Sequence, residues 1–253
     1  MSPLLRALSA EALKLRGTLA LWMCLIAPAT VVALYVLQMT FMDYGKRPAL
    51  PPADAWMMFA QSVLVLWALL MLPLFVTLES ALLAGLEHAN QQWKHLLALP
   101  LPRGVHYLAK LLTLVALVTL AMASLLLLVP LGGWGLDLVQ PRFGIDGPPP
   151  WEFLLTRVGA CLLAALLIIA IHAWVSIRWR SFTVAVSIGM TATVAGFLIG
   201  QSARYGHYYP WAMPLHVLGD AGEHLPFVVV TGAVGGVAVA LLGLMDFLRR
   251  EPA

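Results

Sequence analysis

Charge is the scarcest thing in this chain. Asp, Glu, Lys and Arg together make up 11% of its 253 residues, against about a quarter in a soluble domain. A surface so bare cannot stay solvated, which excludes a water-soluble globule. Cysteine is also scarce. Cys24 and Cys161 are the only two; both fall inside apolar stretches, where they read as small packing residues and say little about redox compartment. The sequence has no G-x-x-x-x-G-K-[ST] phosphate loop and no H-E-x-x-H pair, so neither a nucleotide-hydrolysing nor a zincin site is expected on it. There is no internal repeat of fixed period and no low-complexity tract. No small-residue cleavage site closes the first apolar stretch, so it reads as a retained span rather than a signal peptide.

What fills the chain is hydrocarbon, 61% of residues being hydrophobic. Six apolar windows lie between charged positions: 18 to 41, 55 to 78, 111 to 136, 158 to 177, 181 to 203 and 225 to 245. The shortest has 20 residues, and a helix needs about 20 to cross the hydrocarbon core. Backbone in lipid must satisfy its own hydrogen bonds, and the windows lack strand-like alternation, so helices are expected. The fold class is therefore all-α, a polytopic membrane protein of six transmembrane helices forming a single transmembrane domain over residues 1–253.

Six spans put both termini on one side. That side carries 10 Lys and Arg and the opposite loops 5, which places the termini in the cytoplasm by the positive-inside rule. The net charge of +3 is accordingly a topology signal. Its basic residues are scattered over four short segments, so no nucleic acid partner is expected.

The N-terminal segment 2–17 aligns Leu4, Leu5, Leu8, Ala12 and Leu15 on one helical face, and reads as a helix lying in the membrane interface. The loops 42–54 and 137–157 are proline-rich connections. The third loop, 204–224, carries Tyr205, Tyr208, Tyr209 and Trp211 with Pro210 and Pro214, a pattern for surface aromatics and a short re-entrant or surface helix. Small residues recur every fourth position at Gly232, Gly236 and Ala240, continued by Gly243, and again at Gly196 and Gly200. Such faces let helices approach closely, either as static packing or as a moving pair.

One stretch is far more polar than its surroundings: "HANQQWKHLLALPLPRGVHYLAK", residues 88 to 110. A helix over about 87–99 gathers Trp93, Leu96 and Leu97, turns Gln91, Gln92 and Lys94 elsewhere, and is stopped by Pro100 and Pro102. By composition it is an interfacial anchor or a plug for a groove in a cytoplasmic partner. The order Glu87, Trp93, Lys94, Leu96, Leu97, Pro100, Arg103 and Lys110 resembles the membrane subunits of type-2 ABC exporters. The likeness extends to "AEALKLRGT", "WVSIRWRSFTVAVSIGM" and "YYPWAMP", and is nearest to permeases of lantibiotic immunity and bacitracin-type resistance.

That resemblance implies a half-transporter. Glu87, Gln91, Gln92, Trp93, Lys94, Leu96 and Leu97 become a coupling helix seated in a separate ATPase subunit, present in two copies with ATP and Mg bound there and no cofactor on this chain. It also implies a second permease subunit, identical or related, within a bacterial inner membrane, and an antimicrobial peptide or other amphipathic compound as cargo. Arg178, Trp179 and Arg180 form a possible second contact, or a plain positive-inside anchor. Glu79 and His172 are ionisable groups inside spans, and so candidates for gating or substrate contact. Glu79 can equally snorkel to the interface, and His172 can equally bond a neighbouring helix.

Other chemistry is weaker. "GQSARYG" at 200 to 206 is distantly like the serine motif of intramembrane proteases, but the last window has no His to activate it. His207, His216, Asp220, Glu223 and His224 show no tight metal-ligand spacing, so no metal is expected. An ion-coupled secondary transporter would need mid-bilayer charges and usually repeated halves; a membrane-embedded hydrolase would need a nucleophile and base at matching depth.

Overall fold

The computed structural model describes residues 2–42, 50–89, 101–179, 181–202, 204–219 and 224–249, with side chains in the second segment described through residue 85. Every regular element among them is helical. Helix α1 is Pro3–Leu15 and α2 is Leu19–Thr40. Helices α3, Pro52–Leu66, and α4, Leu72–Ala89, are joined through a π turn at Trp67–Met71. Then follow α5, Arg103–Val139, α6, Trp151–Arg178, and α7, Phe182–Gly200. The short α8 is Met213–His216, and α9 is Leu225–Arg249. Six helices are long and apolar enough to cross a membrane, α3 and α4 counting as one from Pro52 to Gly85.

Local chemistry sets the ends. Ser2 caps α1 by accepting the Leu5 N–H at 3.4 Å, ahead of Pro3. Ser181 does the same for α7 with the Val184 N–H. Prolines at 51, 102 and 150 precede α3, α5 and α6, supplying the fixed φ that suits a helix start. The π turn has a cause as well. Pro73 has no N–H and its ring crowds the carbonyl four residues back. The Leu72 N–H reaches the Trp67 carbonyl five residues back, so the wider turn absorbs the conflict.

Helix α5 has 37 residues, about 55 Å of length against about 30 Å of hydrocarbon, and so projects past the apolar layer. Helix α6 lies in the middle of the bundle, packed most extensively on α9 and also on α4 and α5, while α2 packs along α5. Trp56, Phe59, Trp67 and Tyr107 fill the interior.

Two expectations are refined. Helix α1, expected to lie in the membrane interface, packs on α5 and buries Ala7, Glu11 and Leu15. Leu5 of the apolar stripe is exposed, as is Leu13. The two glycine faces also have different partners. Gly232 and Gly236 press on the α6 backbone, where an added Cβ would lie 2.5 Å from Ala164 Cα and 2.8 Å from the Leu166 carbonyl carbon. Gly196 and Gly200 instead face Trp211, Tyr209 and Ala212, residues of the connection between α7 and α9.

Candidate functional site

Two clusters stand at opposite ends of the bundle. The first is at the face that holds residues 89 and 103, where the polar stretch leaves α4 and re-enters α5. Residues 90–100 lie outside the described residues, and with them Gln91, Gln92, Trp93, Lys94, Leu96 and Leu97; the side chain of Glu87, within α4, lies outside too. The two stems are described, and Lys110 ties them. Its ammonium donates to Glu11 Oε2 at 2.7 Å and to the Leu83 carbonyl at 3.0 Å. Glu11 Oε1 accepts from Lys14 at 2.8 Å. One buried cation thus joins α1, α4 and α5. Burial raises the proton affinity of Glu11, but Lys110 and then Lys14 pull harder the other way, leaving its carboxyl below the ordinary range.

Nearby, Trp174 donates its indole N–H to Asp246 Oδ2 at 2.9 Å, and Arg178 Nε stands 4.0 Å from the same oxygen. The Arg178 guanidinium also lies 5.8 Å from the Trp179 ring centroid. Trp179 is exposed, and Arg180 lies outside the described residues. The described part of this turn is thereby moored to α9.

Glu79 and His172 do not share a site. Glu79 is 0% exposed, with no hydrogen-bond partner for either carboxyl oxygen among the described residues. It faces α2 closely enough to interact electrostatically with Cys24. His172 faces the other way, with Thr77 Oγ1 at 3.3 Å and Trp211 Nε1 at 3.2 Å from its Nε2. An indole N–H only donates, so Nε2 accepts and the ring proton sits on Nδ1. Thr77 gives its own proton to the Pro73 carbonyl at 2.8 Å. Gly189 of α7 completes the pocket, since a Cβ there would strike both Thr77 and His172.

Trp211 reaches His172 because residues 204–219 fold back into the bundle. Tyr209 donates its hydroxyl to the Ala192 carbonyl at 3.0 Å. Arg157 Nη1 donates to the Val217 carbonyl at 2.8 Å, and Gln61 Nε2 to the Leu218 carbonyl at 3.4 Å. Ala212, Met213 and Val217 are buried. The connection is therefore a re-entrant plug seated on α6, α7 and the α3–α4 span. Of the four surface aromatics expected, Tyr205 and Tyr208 are exposed, while Tyr209 and Trp211 turn inward. The paired glycines of α7 were the sequence signal for that seat: Gly196 leaves room for Tyr209 and Trp211, and Gly200 for Ala212 and Leu215.

His207, His216 and His224 crowd the mouth of the plug. Among the described residues no three His, Cys, Asp or Glu side chains are placed to hold a metal ion; Asp220 and Glu223 lie outside them.

A family model described as ABC-2 family transporter protein matches residues 7–196. No curated protein and no solved structure matches the chain.

Proposed function

Since the chain belongs to the ABC-2 transporter family, we propose that it is the membrane subunit of an ATP-driven exporter, drawing its force through the segment 87–99. It is a multi-pass transport component, and permeases of this family normally work with an ATPase subunit. In the proposed complex two ATPase copies hold ATP and Mg, and a second permease, identical or related, faces this one. Glu87, Gln91, Gln92, Trp93, Lys94, Leu96 and Leu97 meet the ATPase, with Arg178, Trp179 and Arg180 as a second contact. The termini and this segment face the cytoplasm of a bacterial inner membrane. The cargo is an antimicrobial peptide or another amphipathic compound, as in lantibiotic-immunity and bacitracin-resistance permeases.

One observation carries the reading: Lys110 binds α1, α4 and α5 at a single point, so a push on the segment between α4 and α5 moves the stems together. Switching proceeds by tilting packed helices as rigid bodies, with Trp211 of the plug held on His172.

Purification of the complex tests it. The chain is expected to bring down a phosphate-loop ATPase, and the double variant Trp93→Glu, Leu97→Glu to lose it while still inserting into the membrane. An unchanged complex in the double variant overturns the reading. Glu79, a buried carboxyl with no partner among the described residues, supports a second reading in which an ion gradient drives transport. Transport in vesicles that continues without ATP and stops when the proton gradient is collapsed would favour it.

A further inference from the structure

The plug between α7 and α9 carries three histidines at its mouth. His207 and His224 are stacked, their ring centroids 4.0 Å apart and their planes 10° from parallel. His216 stands edge-on to both, at 6.2 and 6.3 Å. Phe227 closes one side, 5.6 Å from His207, and the Tyr208 ring lies 4.0 Å from the same imidazole. His207 is buried and the other two are half-buried.

From this packing we propose that His216, set edge-on to the stacked His207 and His224, is a proton-sensitive latch: a neutral His216 holds the plug in the bundle, and acid on that face releases it. The mechanical link is short. His216 ends α8, whose first turn follows Trp211, and its ring abuts Gly206 and the Gly200 carbonyl at the end of α7. A charge placed on His216 would stand 6.2 and 6.3 Å from the two stacked rings in a half-buried site, where charges are poorly solvated.

The groups around the latch decide the sign. Among the described residues, α7 contributes the Gly200 carbonyl, which favours a charged His216. From α9 comes Phe227, with His224 just before its first residue. The loop supplies Tyr208 and Arg204, the latter a cation 5.2 Å from the Tyr205 ring centroid, which adds to the positive charge. From α6 comes Arg157, engaged with the Val217 carbonyl. Asp220 and Glu223, next to His224 in sequence, lie outside the described residues. For His216 the balance is net unfavourable to the proton: burial first, then His207 and His224, outweigh the Gly200 carbonyl and lower its affinity. A histidine depressed in the closed state holds the plug above its ordinary value of about 6.5. That contribution is lost as the pH falls from there through the lower closed-state value.

Amide hydrogen exchange on the full chain in lipid nanodiscs tests this without any transport assay. The reporters are the N–H groups of Ala212 and Met213, both bonded to the Tyr209 carbonyl at 2.9 and 3.1 Å. Between pH 7.5 and 5.0, after correction for intrinsic rates, their exchange is expected to accelerate severalfold. Amides in the middle of α6 are expected not to change.

The triple variant H207Q/H216Q/H224Q keeps Asp220 and Glu223, so it isolates the imidazoles; its exchange is expected to be flat with pH. His224→Phe preserves the aromatic stack without a titratable ring, and is expected to show a reduced acceleration even if the triple variant does not fold. No acceleration in the wild-type plug overturns the proposal. So does an equal acceleration in His224→Phe, or one shared by α6. Failure here leaves the transporter reading untouched, because no step of the test involves an ATPase.

Discussion

Removing the carboxylate of Glu11 should destabilise the protein more than removing the ammonium of Lys110. The pair lies 2.7 Å apart, with side-chain exposures of 8% and 5%. At an effective dielectric of 20 its attraction is about 6 kcal/mol, largely offset by several kcal/mol of desolvation for each ion. The net worth of the intact pair is therefore small, and the cost of breaking it depends on what the orphan retains. In Lys110→Met, Glu11 still has Lys14 at 2.8 Å, a partner whose side chain is 29% exposed. The cost should be about 1 to 3 kcal/mol. In Glu11→Gln, Lys110 loses a charged partner and, among the described residues, keeps the Leu83 carbonyl and an amide oxygen at its 5% exposed site. Breaking a buried ion pair from this side costs about 3 to 5 kcal/mol, a melting-point drop of roughly 6 to 20 °C for a chain of this size. The double variant Glu11→Met, Lys110→Met removes both charges and should be more stable than Glu11→Gln alone. Thermal melting in one detergent, with exposed Leu13→Gln as the control, reads all four. Additive single effects, or Lys110→Met as the worse variant, would refute the buried clamp.

The same carboxylate gives a pH signature. Because Glu11 sits below its ordinary value of 4.5, its contribution is fully present above that pH and is lost as the pH falls through the lower folded value. Wild-type melting should decline there more steeply than Glu11→Gln. Gly232→Val would place its Cβ 2.5 Å from Ala164 Cα, a backbone atom that cannot step aside; a loss of about 3 kcal/mol or more is expected in the same melting assay. Gly235→Ala meets only the flexible Leu167 Cδ1 at 3.3 Å, and should melt within about 1 kcal/mol of wild type. Trp211→Phe keeps the ring but removes the N–H that His172 Nε2 accepts at 3.2 Å. A hydrogen bond worth about 1 kcal/mol should appear as a several-fold rise in exchange at Ala212 and Met213.

Much of the fold was legible because lipid permits few solutions: long apolar windows free of charge have to be helices. The ends were less legible. Windows drawn between charges missed the true start of α5, since Lys110 is the eighth residue of a helix that begins at Arg103. A lysine whose partner is supplied from 99 positions away looks, in sequence, like the edge of a span. Glu11 left a clue as the lone acid in a basic segment, three residues before Lys14, but an apolar stripe on the same helix spoke louder. The plug was half visible in Pro210 and Pro214. Its direction was not, because an aromatic at a membrane surface and one turned into a bundle read the same until the glycines opposite it are placed.

Helix α4 gives these parts a common frame. Thr77 meets His172 at the foot of the plug, Glu79 turns towards α2, and the Leu83 carbonyl receives Lys110. Thr77 and Leu83 are six positions apart, about 9 Å along the axis, within a single run of helix. A rigid segment that short cannot tilt at one end without displacing the other. The π turn just before it, at Trp67–Met71, is where the span departs from regular α geometry, and so where a tilt is most easily absorbed. The clamp and the foot of the plug therefore bear on the same short stretch of α4. Loosening Lys110 should be felt at Trp211 before it is felt in the α6–α9 packing, where Gly232 and Gly236 set backbone against backbone.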